Sequence, residues 1–208
     1  MKKTLRSLAA TLAAGAMVAA GVATAAPASA APGTTSLAEV LAADSGFDKN
    51  AKDFDILERA VLAVLDNRPD SPVGLLADGD RRATAFLPTD LAFSRLVTGL
   101  TGEKPANERA TWQATRSVGI DTIEEVLLYH VIPSRTIYRK GVLAARGTRV
   151  DVANGDSVAV IVRDGRVFLG DRDRGATNPE VTVTNINRGN KQIGHAINRV
   201  LRPFDFSG

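Results

Sequence analysis

Two histidines, His130 and His195, and no cysteine at all make up the chain's supply of side chains suited to base or thiol chemistry at neutral pH. A Ser–His–Asp triad would place one of these imidazoles beside a serine, yet no Gly-x-Ser-x-Gly elbow occurs. His130 belongs instead to the set Ile123, Val126, Leu127, His130 and Val131, which recurs at the spacing of one helix face. That stripe predicts a buried ring whose two nitrogens are met by backbone or hydroxyl partners. Glycoside hydrolysis would need two carboxylates facing each other across a cleft. Acids are plentiful, but most fall at helix starts (Asp55, Asp121), turns (Asp78, Asp164) or an exposed helix face (Glu125). The run Asp171-Arg-Asp173-Arg-Gly175 through Glu180 has the outline of a calcium loop. Its fifth ligand position is Gly175, its glycine position is Ala176, and two arginines oppose a cation, so a solvated loop is expected. No catalytic residue, metal or cofactor is expected from these patterns.

Charge is uneven along the chain. Residues 31–133 hold 10 basic and 16 acidic side chains, whereas residues 134–202 hold 13 basic and 6 acidic ones. Within the second segment Arg135, Arg139, Lys140, Arg146 and Arg149 define a candidate patch for an anionic glycan or wall polymer. Nucleic acid is not expected as a partner, for there is no lysine-rich tract and no aromatic stacking platform.

Residues 1–30 read as a secretory signal peptide: Lys2, Lys3 and Arg6, then an uncharged Ala-rich run, then Ala28-Ser29-Ala30 as the cleavage site. Cleavage there leaves 178 of the 208 residues, with 23 Lys+Arg against 23 Asp+Glu. No later run reaches the length of a transmembrane helix, and without cysteine there are no disulfides or zinc–thiolate sites. A secreted, extracellular monomer without a transmembrane anchor is expected.

The elements that would position these residues divide into two groups. Ser36 with Glu39, Asp55 with Glu58, and Asp121 with Glu124 have capping-box spacing and predict three helix starts. Residues 67–80 read as a loop and 83–87 as a strand ending at Pro88. Thr89 then caps a helix, Asp90 favours its positive end, and Phe93, Leu96, Val97 and Leu100 face inward. Residues 107–118 are helical by propensity, and the helix from Asp121 runs to Pro133. Beyond it the period shortens to two. Strands are predicted at 135–138, 148–152, 157–163, 166–169 and 180–186, with Asp164-Gly165 as a type I′ turn. A last segment, 192–201, puts Ile193, His195 and Ile197 on one face. Helices followed by short strands indicate an α+β fold.

Three segments together resemble the fasciclin domain. They are Thr84-Ala-Phe-Leu-Pro-Thr-Asp-Leu-Ala-Phe93, then Leu127-Leu-Tyr-His-Val-Ile-Pro133, and Val183-Thr-Asn-Ile-Asn187 through Gly194-His-Ala-Ile-Asn-Arg-Val-Leu201. The resemblance covers residues 34–203, leaving 204–208 as a short tail. It implies a twisted β-sandwich or wedge of short, mostly antiparallel strands flanked by several α-helices. Pro88, Thr89, Asp90, Phe93, Tyr129, His130, His195 and Asn198 are then family-motif residues with structural roles. It further implies a non-enzymatic adhesion or binding module whose partner is a cell-surface or matrix protein or glycan; the alternative is a wall-associated hydrolase or anionic-glycan-binding protein. Asn198 replaces the family's usual Asp, Gly194 a branched apolar residue, and Lys191-Gln192 the usual Asn-Gly turn. No Arg-Gly-Asp triplet is present.

Overall fold

Ser36 starts the first helix as its spacing predicts. In the computed structural model, which describes residues 30–44 and 46–206, its hydroxyl accepts from Glu39 N while the Glu39 carboxylate accepts from Ser36 N. This box opens α1 (Leu37–Ala42). All but the last residue of the predicted export signal lies outside the described residues. Helix α2 (Asp55–Asn67) buries Ile56, Leu57, Ala60, Val61 and Val64, with Leu65 partly buried beside them; in the sequence these six have the spacing of one helix face. Its cap is not the Asp55–Glu58 pair: Phe54 holds the cap position without a side-chain bond, and Asp90 Oδ1 accepts from Ile56 N at 3.0 Å. The predicted loop 67–80 contains a 3-10 helix, Pro72–Ala77. Pro72 suits its first turn, Ser71 Oγ accepts from Val73 N, and Val73, Leu75 and Leu76 are buried.

Strand β1 (Ala83–Pro88) leads into α3 (Asp90–Thr101), on which Phe93 and Val97 are buried but Leu100 is exposed. Asn107 Oδ1 caps α4 (Glu108–Arg116) through Ala110 N. Helix α5 (Ile120–Tyr129) corrects the prediction at both ends. It starts from Gly119, whose φ of 89° an L side chain would resist, so Asp121 is a first-turn residue and not the cap. It also stops at Tyr129, four residues before Pro133, because Val131–Pro133 is already strand β2, paired antiparallel with β1. Glu124, released from a capping role, accepts from Ser71 Oγ and pairs with Arg68.

Helix α6 (Arg139–Ala144) precedes β3 (Arg149–Asp151), β4 (Ser157–Arg163) and β5 (Arg166–Gly170). Asp164 and Gly165 have φ of 50° and 73°, the two positive values a type I′ turn needs. Strand β6 (Val181–Ile186) and strand β7 (Gln192–Ile197) complete the chain. The segment 135–138 is not a strand; it runs alongside β1 through Thr84 Oγ1, which donates to Arg135 O and accepts from Ile137 N. Nor does β6 keep its alternation: irregularities follow Val181 and Val183, leaving Val183 53% exposed.

The strands form a four-stranded sheet in the order β2-β1-β7-β6 and a three-stranded sheet β3-β4-β5. All pairs are antiparallel except β1 with β7, the two central strands. Every residue of both central strands is buried, so β7 is covered on two faces and not one. Phe86 and Ile197 join Tyr129, Val158, Val160, Leu169 and Leu201 in a core shared with the small sheet. On the helix side Ala85 and Leu87 pack with Leu37, Ile56, Val61, Phe93 and Leu127. Gly194 belongs to this side: a Cβ there would stand 2.5 Å from Leu87 Cδ1 and 3.3 Å from Leu37 Cδ2, so two leucines occupy the volume a branched residue would fill. Among the described residues no helix is long and apolar enough to cross a membrane.

Gln192 is fully buried, and its amide is fully used: Oε1 accepts from Leu37 N, and Nε2 donates to Leu75 O and Asp78 O. Gln192→Leu strands one donor and two acceptors at once. The expected loss is about 3 kcal/mol or more in urea-unfolding free energy; a loss within about 0.5 kcal/mol would show that this amide does not join α1 and the 3-10 helix to the sheet.

Candidate functional site

Both histidines are interior, and both are committed to the backbone. His130 is the C-cap of α5. Its Nδ1–H donates to Val126 O at 2.6 Å, a carbonyl that the end of the helix would otherwise leave without a donor. Its Nε2 accepts from Leu201 N at 2.9 Å. The two partners fix one neutral tautomer, and burial pushes the imidazole pKa down to about 4. His195 Nε2 donates to Ile137 O at 2.8 Å, and its Nδ1 accepts from Asn185 N at 3.4 Å. Burial lowers its pKa as well. Tyr129 is fully buried, its phenol donating to Ser157 O at 3.4 Å, and burial raises its pKa to about 12.

The residues around Pro88 are brought together as a junction between β1, α2 and α3. Pro88 ends β1 opposite Ile197. Thr89 occupies the cap position of α3, but its hydroxyl makes no capping bond; Asp90 N and Leu91 N donate to the carbonyls of Asp53 and Ala51 instead. Asp90 is the more consequential residue, since it caps α2 and not its own helix. Phe93 packs into the helix-side core and lines an apolar cleft with Val97, Leu127, His130 and Phe206. Asn198 closes the far end of the sheet: Oδ1 accepts from Glu180 N at 2.9 Å, and its own N donates to Glu180 O. An amide oxygen serves that role as a carboxylate would, so Asn198, where the resemblance implies Asp, still supplies the acceptor. Lys191 pairs with Asp80 at 2.8 Å.

The five basic residues of the candidate patch are all exposed. Arg139 and Lys140 start α6, Arg146 follows it, and Arg135 shares a small cleft with Gly141, Val142 and Ala145 of that helix. Arg149 donates through Nε to Ser157 Oγ and through a terminal nitrogen to Ser157 O. None of the six ion pairs among the described residues involves any of the five. The calcium-like run is less solvated than its composition predicts. Asp173 is buried; it accepts from Gly175 N and Ala176 N and pairs with Arg202 at 2.8 Å, while Asp171 accepts from Arg202 N. That loop anchors the segment after β7.

Sequence reasoning missed a group of buried carboxylates at the starts of α2, α3 and α4. Asp53, Asp55, Asp90 and Glu108 are buried, and Asp48 joins them from the surface. Burial raises the Asp90 pKa to about 8 and also raises those of Asp53, Asp55 and Glu108. The legible signal was the short run Asp48-Lys-Asn-Ala-Lys-Asp53-Phe-Asp55; nothing in the sequence brought Asp90 and Glu108 to it.

Residues 71–203 match the sequence model of the Fasciclin domain. A solved chain, a FAS1 domain pair from the insect cell adhesion molecule Fasciclin I, superposes with a TM-score of 0.56 at 15% identity. The match covers 82% of this chain and 51% of that one, about half of its length. No curated protein matches the chain.

The linkage at His130 has a definite sign. Its folded pKa lies below its unfolded value, so the unfolded chain takes up the proton first. Stability is lost as pH falls from 6.5 towards about 4, by about 3 kcal/mol from this residue. In an NMR titration the His130 ring should stay neutral until near pH 4, and the stability gap between the native chain and His130→Ala should narrow over that window. A midpoint near 6.5 would mean that the ring is solvated.

Proposed function

The chain belongs to the fasciclin domain family, and from that membership we propose that it is a secreted, non-enzymatic adhesion module with a cell-surface or matrix partner. Fasciclin domains serve in general for adhesion and binding, and the neighbour of solved structure is itself part of a cell adhesion molecule. One observation carries the non-enzymatic half of the reading: each imidazole has both nitrogens engaged by backbone groups, which leaves neither free to accept a proton from a substrate. The motif residues build the interior, and recognition falls to the exterior. Export follows from the charged start, Ala-rich run and small-residue cleavage site of residues 1–30.

The exposed bases on and around α6 favour an anionic partner. Among the described residues Arg135, Arg139, Lys140, Arg146 and Arg149 enter no ion pair, so their field is available to a carboxylated or sulfated polymer. The purified protein should bind an acidic-polysaccharide resin and elute between about 0.1 and 1 M salt, as the screening length shrinks from about 10 to about 3 Å. Replacing Arg139 and Lys140 by Glu should move elution to lower salt. Retention indifferent to ionic strength, or unchanged in the charge-reversed protein, would remove the patch from the binding surface.

A further inference from the structure

Three helices of this fold begin on a carboxylate, and their beginnings converge: Asp55 opens α2, Asp90 opens α3 and Glu108 opens α4. Each spends one oxygen on a backbone N–H outside its own helix. Asp55 Oδ1 accepts from Gly46, Asp90 Oδ1 from Ile56 and Glu108 Oε2 from Asp48, at 3.1, 3.0 and 2.7 Å. Helix dipoles account for an acid at each start. They do not account for all of the acids meeting at one point. Oxygens of Asp53, Asp90 and Glu108 lie within 4.8 Å of one another, and so do those of Asp48, Asp53 and Asp55.

A second observation points to a ligand. Among the described residues, three buried side-chain oxygens accept no N–H or hydroxyl hydrogen bond, and all three belong to this cluster: Asp53 Oδ1, Asp55 Oδ2 and Asp90 Oδ2. Their residues are 9%, 2% and 1% exposed. Among the described residues no ion pair reaches Asp48, Asp53, Asp55, Asp90 or Glu108. Asp53 and Asp90 face each other closely enough to share a proton, which serves one oxygen of each only while Asp90 is neutral. Asp55 Oδ2 has no such neighbour, and a buried carboxylate oxygen without donor or countercharge is costly.

We infer that Asp53, Asp90 and Glu108 bind a divalent cation of the calcium type, with Asp48 and Asp55 as flanking charge. The donor set is all oxygen, which suits a hard cation and not zinc or copper. Oxygens bound to one calcium at 2.3–2.6 Å stand up to about 5 Å apart, so the observed spacing accepts the ion without movement of the helices. Magnesium demands a strict octahedron and usually keeps several of its waters, so an all-protein carboxylate group favours calcium. Asp90 and Glu108 also line a cleft with Asp48, Lys49 and Asn107, which provides a route from solvent. The bound ion would tie the starts of α3 and α4 to the segment preceding α2. This site is independent of the adhesion reading and goes beyond the absence of metal expected from the sequence.

Calcium titrated calorimetrically into the EDTA-treated, purified protein at pH 7.5 should give one site, and calcium should raise Tm in a way that EDTA reverses. Trp112, one turn along α4 from Glu108, should sensitise terbium luminescence at the same site. Asp90→Asn keeps the Oδ1 acceptor for Ile56 N and should weaken calcium by about tenfold or more. Glu108→Gln, away from that cap, should do the same and serves if the first variant fails to fold. No heat and no Tm shift up to about 10 mM calcium, well above the range of extracellular modules, would overturn the assignment. So would a calcium response that survives in both variants, or an Asp90→Asn protein that is more stable and equally indifferent to calcium, which would mark the cluster as a proton-sharing group.

Discussion

The imidazole of His130 is the joint on which the interior depends. A helix that must turn into a strand within one residue leaves its last carbonyls exposed to an apolar interior. Here α5 ends at Tyr129 and β2 begins at Val131, so the side chain of the single residue between them takes up Val126 O. The opposite ring nitrogen receives Leu201 N, beyond the end of β7. Val126 packs on the helix-side core and Leu201 in the core between the sheets, so one ring bridges both. A neutral imidazole offers a donor and an acceptor on opposite edges of one rigid ring.

How much of this was legible follows from which forces are local. The stripes of α2 and α5, the box at Ser36, the turn at Asp164-Gly165 and the burial of both histidines are set by residues a few positions apart, and they read correctly. What failed was decided at long range. The pairing of β1 with β2 cut α5 short, and the cap of α2 came from Asp90, 34 residues from the N–H it accepts. Gln192 looked like a turn residue because its partners, Leu37, Leu75 and Asp78, are more than a hundred residues away. The same limit hid the carboxylate cluster, whose members come from three separate helix starts.

The uneven charge along the chain acquires a spatial meaning in the fold. Much of the acidic excess before Pro133 is drawn inward or onto helix starts, where Asp53, Asp55, Asp90 and Glu108 are buried. The basic excess after it remains outside on and beside α6. A chain with equal numbers of acids and bases after residue 30 thus presents a more basic exterior than its composition indicates.

The docking of Gly33 onto the β6–β7 connection gives the fold a mechanical direction. Gly33 N donates to Gly189 O, and Lys191 N donates to Gly33 O, which fastens Gly33 beside the first residue of β7. Arg202, held by Asp171 and Asp173, fastens the chain just beyond that strand's other end. Tension between these two anchor points would run along β7, across the ladders that join it to β1 and β6. Bonds perpendicular to a pull resist together in shear, whereas bonds aligned with it open one after another. If such a pull were applied, that orientation would make the central strand the part that bears traction.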